Sequence, residues 1–208
     1  MRKKLTILLG VLVVIIAAGA AFFIIRDIRK GEELNPPTGT STSPMPNPSP
    51  EISAPDLDRN IHITAPLSEE NKKKAREEID RLVAALKEDP DSYNDWLSLA
   101  LYWKMIGDYD GAREIWEYLA ETRPGEAVSL HNLGNLYANE LHDFAKAEQY
   151  YLEAIKRRPE FDYLYYAVYE FYRYYVKDLV KAKQILDQAI AALDPESGAK
   201  FGELRASF

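Results

Sequence analysis

Three histidines, no cysteine and 33 acidic side chains set the chemistry open to this 208-residue chain. Without cysteine, thiol catalysis, disulfides and zinc–thiolate sites are excluded. His131, His142 and Asp143 are the one grouping that resembles a metal or acid–base centre. The two histidines fall at opposite ends of one helical stretch, roughly 16 Å apart at about 1.5 Å per residue, too far to share an ion. No glycine-rich phosphate loop, nucleophile elbow or paired-carboxylate motif occurs. The reading is a protein that is not an enzyme and takes no cofactor and no metal.

The remaining polar pattern suits recognition. His131, Asn135 and Asn139 are four residues apart and Asn132 stands three before Asn135, so they run along one side of a helix. Asparagine donates and accepts hydrogen bonds, which suits the backbone of an extended peptide. It is a poor helix former, so three in one helix point to use. Of the 14 tyrosines, seven lie between Tyr163 and Tyr175. Spacing sends Tyr165, Tyr169 and Tyr172 to a core and Tyr163, Tyr166 and Tyr174 outward, where phenol rings give large contact area at small entropy cost.

The elements that carry these residues are helices. From Tyr93 to Pro124, Trp96, Leu99, Ala100 and Trp103 precede a Gly107-Asp108 break, and Tyr109, Ala112 and Trp116 follow it. That is a helix–turn–helix unit of about 34 residues. Of 12 prolines, eight sit between Pro36 and Pro66; the others, Pro90, Pro124, Pro159 and Pro195, are 34, 35 and 36 residues apart. Each follows an apolar helical pattern, where proline ends a helix. Before them, Ser68 with Glu69 and Glu70 reads as an N-cap, and Ile79, Leu82, Val83 and Leu86 form one stripe closed by Pro90, a capping helix.

Residues 67–195 resemble the tetratricopeptide repeat. The motif positions are Trp96, Leu99, Ala100, Trp103, Tyr109, Ala112, Trp116 and Pro124 in the first repeat. They are Leu130, Leu133, Gly134, Tyr137, Phe144, Ala147, Tyr151, Ala154 and Pro159 in the second. In the third they are Tyr165, Val168, Tyr172, Leu179, Ala182, Leu186 and Ala189. Repeats two and three each carry one extra residue before the second helix, near Leu141-His142-Asp143 and Val176-Lys177-Asp178. The resemblance implies an all-α fold, an α-solenoid of antiparallel helix pairs, whose first helices line a concave groove. By motif position that groove takes Asn94, Leu97, Leu101, Lys104 and Met105, then Val128, His131, Asn132, Asn135 and Asn139, then Tyr163, Tyr166, Glu170, Arg173 and Tyr174. Lys104, Asn135 and Arg173 could form the family's carboxylate clamp, but the lysine usual at the place of Leu97 is missing, which argues against it.

Residues 1–30 read as a membrane anchor. Leu5 to Ile25 carry no charge, and 21 residues at about 1.5 Å each match a bilayer's hydrocarbon thickness. Ala18-Gly19-Ala20 resembles a signal-peptidase site, but Phe22-Phe23-Ile24-Ile25 continue the apolar run past it, so the span reads as uncleaved. The basic Met1–Lys4 flank places the N-terminus in the cytoplasm and the repeats outside it. Residues 31–66, rich in Pro, Ser and Thr, read as a disordered linker. Within it Ile61 and Ile63 read as a stray apolar pair, with a strand-like clip docking back on the solenoid as the rival.

The domain plan is therefore an anchor, a linker and a repeat domain over 67–196, followed by a tail, 197–208. The repeat domain divides into a cap, 67–90, and repeats 93–126, 127–161 and 162–195. The tail places Phe201, Leu204 and Phe208 on a short helix, too short for full capping, so the C-terminal edge could pair with itself. From Leu67 onward 19 basic and 27 acidic residues leave a balance of −8, which opposes nucleic acid as a partner. The functional expectation is a membrane-tethered scaffold that binds a protein or peptide in the groove. The alternative is a structural subunit of an envelope complex that self-assembles, a homo-oligomer, through solenoid edges.

Overall fold

The computed structural model describes residues 53–208. The anchor at 5–25 and the linker up to residue 52 lie outside the described residues. Among the described residues the regular elements are all helical. They are α1 (Glu69–Glu88), α2 (Tyr93–Ile106), α3 (Tyr109–Thr122), α4 (Val128–Asn139), α5 (Phe144–Arg157), α6 (Asp162–Glu170), a π-helical turn (Phe171–Val176), α7 (Leu179–Ala192) and α8 (Pro195–Ala206). Each helix packs mainly on the next in sequence. The pairs α2/α3, α4/α5 and α6/α7 are the three repeats, with α1 as a leading helix. No helix of the described residues is long and apolar enough to cross a membrane.

Small residues set the spacing within each pair. Ala112, Ala147 and Ala182 are fully buried on the second helices. On α4, a Cβ added at Gly134 would lie 2.5 Å from the Tyr151 ring, so only glycine lets α5 bring that ring so close. Large side chains fill what is left. Trp96, Trp103 and Trp116 are buried in the first repeat, and Tyr165, Tyr169, Phe171 and Tyr172 in the third.

The second helix of each pair starts in the same way. Asp108, Asp143 and Asp178 are N-caps whose carboxylates accept from the N–H groups of Gly111, Lys146 and Lys181 at 2.8, 3.1 and 2.9 Å. Immediately before them, Gly107, His142 and Lys177 take positive φ, at 87°, 54° and 61°. The extra residue expected in the second and third repeats is visible in the backbone. The Asp108 N–H reaches back five residues to the Trp103 carbonyl, whereas those of Asp143 and Asp178 reach back six, to Tyr137 and Tyr172. The second repeat holds the extra residue in a longer loop after Asn139, and the third winds it into the π-helical turn.

Two expectations need correction. The tail is not a thin cap: α8 is a 12-residue helix with Pro195 in its first turn and Asp194 as N-cap, so Pro195 opens a helix instead of ending one. Phe201 is only 5% exposed and meets the Tyr165 ring edge-on, with centroids 6.4 Å apart. Arg205 bonds Asp187 of α7 at 2.8 Å. Second, the packed unit begins before residue 67. After a turn at 57–58, residues 59–64 run extended against the first repeat. Across 57–67, Leu57, Arg59, Ile61, Ile63, Ala65 and Leu67 are half-buried and the residues between them exposed. The rival reading of Ile61 and Ile63, a clip, is the one observed.

Candidate protein-interaction surface

The first helices of the three pairs form one continuous face. Lys104 of α2 reaches Glu140, at the end of α4, at 3.7 Å. The His131 ring of α4 meets Tyr163 of α6 edge-on, centroids 5.3 Å apart. The second helices join on their own side: Tyr150 of α5 donates to Glu117 of α3 at 3.3 Å, and Lys181 of α7 pairs with Glu148 of α5, which also accepts from Tyr172 of the π-helical turn at 2.7 Å. Ties between repeats therefore run on both layers, and on the first-helix layer they engage Lys104, His131 and Tyr163, three of the groove candidates themselves.

Along α4 the expected polar ladder exists, but much of it is engaged internally. Asn135 accepts from the Tyr151 hydroxyl at 2.9 Å and bonds the His131 ring at 3.2 Å. Asn139 donates to the Asn135 carbonyl at 2.9 Å. His131 is half-buried under Tyr151 and Tyr163; burial first, and the Lys104 charge second, push its pKa down to about 4. It is neutral at physiological pH and serves as an acceptor or tautomeric donor within the network. Asn132, by contrast, has no side-chain hydrogen-bond partner among the described residues.

The other groove candidates divide the same way. Leu97 is 3% exposed and belongs to the core, so it is not available to a ligand. Leu101 and Val128 are half-buried, and Asn94 and Met105 are exposed. Tyr163, Tyr166 and Tyr174 are exposed, the last two at 45% and 57%. Glu170 lies beside Tyr166 and holds that phenol's pKa above its ordinary value. Arg173 donates to the Tyr169 hydroxyl and stacks over the rings of Phe208 and Tyr174. With Lys104 paired to Glu140 and Arg173 committed to aromatic rings, the charged pair of a carboxylate clamp is not assembled.

Between α6 and α8 lies a pocket of about 400 Å³ lined by Asp162, Tyr163, Tyr166, Lys200, Phe201 and Leu204. Burial pushes the Tyr163 phenol up to about 12, so it stays a protonated donor at the pocket edge. The C-terminal half of this pocket escapes a reading based on repeat motif positions, because α8 lies beyond the last repeat. Its signal in the sequence is Phe201, at the place Tyr165 holds one repeat earlier. Among the described residues no group of three or more His, Asp or Glu side chains is placed to hold a metal ion.

This layered array of helix pairs defines a helical-repeat architecture. A family model for the tetratricopeptide repeat matches residues 104–160, from the end of α2 to just beyond α5. The matched stretch is thus similar to repeats that generally mediate protein–protein interactions, and the pairs flanking it share its layout. No curated protein matches the chain.

Proposed function

We propose that this protein is a membrane-tethered scaffold that binds a protein partner on the face formed by α2, α4 and α6. The observation that carries the reading is the exposed tyrosine surface of α6 and the π-helical turn, Tyr163, Tyr166 and Tyr174, set beside the pocket closed by α8. A monomeric helix gains nothing by presenting three rings to water, whereas interfaces favour them. The hydrogen bonds among His131, Asn135 and Tyr151 hold α4 in register beneath that surface, leaving Asn132 free to meet a partner's backbone. The tether rests on the uncharged run from Leu5 to Ile25 and its basic flank, with the repeats outside the cytoplasm. No catalytic role is assigned.

Self-assembly through solenoid edges finds less support, because α8 turns Glu196, Ala199, Lys200 and Glu203 outward over the last repeat. The test is a photo-crosslinking pull-down with the full chain and a variant carrying Asn132→Ala, Tyr163→Ala and Tyr166→Ala. The expected result is a partner captured by the parent and lost by the variant at unchanged helicity. Capture of the same proteins by both would remove this face as the site.

A further inference from the structure

The extended segment before α1 is held on the first repeat by contacts that resemble ligand recognition more than chain packing. Arg59 donates from Nε and Nη2 to both carboxylate oxygens of Asp108, at 2.7 and 2.8 Å, and from Nη1 to Glu114 at 3.1 Å. The N–H groups of Thr64 and Ala65 both donate to the Ile106 carbonyl, at 2.9 and 3.0 Å, which satisfies an orphan group at the α2 C-terminus. On the other side, Lys87 of α1 meets Asp58 at 2.6 Å and Arg76 reaches the Ile61 carbonyl at 3.4 Å. The segment therefore lies between α1 and α3, with alternate side chains turned inward as in a peptide bound at a cleft.

The first repeat is shaped for this occupant, and the others are not. A Cβ at Gly111 would lie 2.9 Å from Arg59 Nε, and one at Gly107 would lie 2.2 Å from Thr64 Oγ1. Counting from the N-cap aspartates, the place of Gly111 is held by Lys146 and Lys181 in the second and third repeats, and that of Glu114 by Gln149 and Gln184. Those repeats thus lack both the room for an arginine and the second carboxylate that reads it. Asp108 is retained in all three as a helix cap, so the cap alone does not make the site.

We propose that the cleft between α1 and α3 is a second peptide-binding site, separate from the α2/α4/α6 face, selective for an extended segment with an arginine among alternating apolar residues, and that the chain keeps it filled with its own Leu57–Ala65. Such a site accepts the same segment supplied in trans once the resident copy is displaced. A tethered segment competes at an effective concentration on the order of millimolar, so the filled site masks itself from weaker ligands.

The test uses the full chain with Arg59→Ala and Ile61→Asp, which loosens the resident segment, and a fluorescein-labelled peptide of residues 55–67 as the probe. Fluorescence anisotropy is expected to show binding at least tenfold tighter to this opened chain than to the parent. Binding should weaken as salt rises. A peptide with Arg59→Ala should fail, and Gly111→Lys in the opened chain should abolish binding without loss of helicity, since lysine occupies that helix position in both later repeats. No binding to an opened chain of unchanged helicity overturns the proposal. So does binding that survives Gly111→Lys. Loss of helicity on opening would also overturn it, showing the segment to be part of the core and not a ligand. None of these outcomes bears on the tyrosine face, which the variants do not touch.

Discussion

The turn inside the first repeat and those inside the second and third occupy the same place in the motif, yet they are built differently. The first is short, uses Gly107 at positive φ, and is covered by a second stretch of chain bonded to its carbonyls and its cap. The other two contain an extra residue and force His142 and Lys177 into the left-handed region. The difference shows that the repeat motif specifies the cap and the reversal, while the residues around the cap decide what else the turn can do. Glycine at two positions, Gly107 and Gly111, turns a helix start into a recognition site.

The largest expected effect on this contrast comes from Gly107→Ala. The methyl would collide with Thr64 and also occupy a strained φ, costing about 2 kcal/mol in chemical denaturation. Faster amide exchange at Thr64 and Ala65 would show that the segment has been released. Arg59→Ala should cost about 1–2 kcal/mol, because it leaves a part-buried carboxylate of Asp108 with only its capping bond. If denaturation midpoints for Arg59→Ala and the parent coincide, the pairing contributes nothing net.

Acid should release the same segment. Burial works to raise the Asp108 pKa, but the hydrogen bonds from Arg59 and from the Gly111 N–H, with the charges of Arg59 and His62, carry it below its ordinary value. A depressed carboxylate contributes stability that is fully present above the ordinary aspartate pKa near 3.9 and is lost as pH falls through the lower folded value. Glu114 and Asp110 face the same guanidinium and raise its pKa further, so Arg59 stays charged throughout this range and the carboxylate is the group that titrates. The amide resonances of Thr64 and Ala65 should therefore shift below about pH 4, with the salt dependence of an ion pair. Resonances that stay constant down to pH 2 would show that the backbone bonds alone hold the segment.

The smallest effect should run the other way. Lys177→Gly, and likewise His142→Gly, relieve a non-glycine residue at positive φ and should stabilise by about 0.5–1 kcal/mol, less the entropy glycine loses on folding. A gain at those turns beside a loss at Gly107 would confirm that the three turns share one backbone geometry and differ in their surroundings.

These contrasts also show what sequence patterns convey. Proline spacing, the Ser68 cap and the paired apolar stripes placed the first seven described helices, and the tail's apolar residues pointed to a short eighth, because local periodicity and capping follow from backbone chemistry. The extra residues near Asp143 and Asp178 were equally visible, although whether each became a loop or a π-helical turn depends on packing around Phe171 and Phe144, whose rings meet edge-on at 5.9 Å. The docked segment was harder to read. Its period-two alternation is short and interrupted by polar residues, and its main partner, Arg59 with Asp108, spans 49 positions that no local pattern links. On the candidate face, the positions of Tyr163, Tyr166 and Asn132 followed from helical spacing. Motif position misassigned Leu97 because α2 buries Leu97 together with Trp96, Leu99 and Ala100, a wider arc than the motif implies. It also missed that Asn135 is engaged on both its oxygen and its nitrogen, since Tyr151 approaches only because Gly134 leaves the space.

The placement of indoles has a consequence of its own. The chain has three tryptophans, and Trp96, Trp103 and Trp116 all belong to the first repeat, where Trp96 Nε1 donates to the Pro90 carbonyl at 2.9 Å. Emission excited selectively in indole thus watches one end of the array, while far-UV ellipticity sums over all of it. In a linear array, where stability passes from neighbour to neighbour, the separation between those two melting curves measures directly how strongly the clasped end is coupled to the tyrosine-rich end.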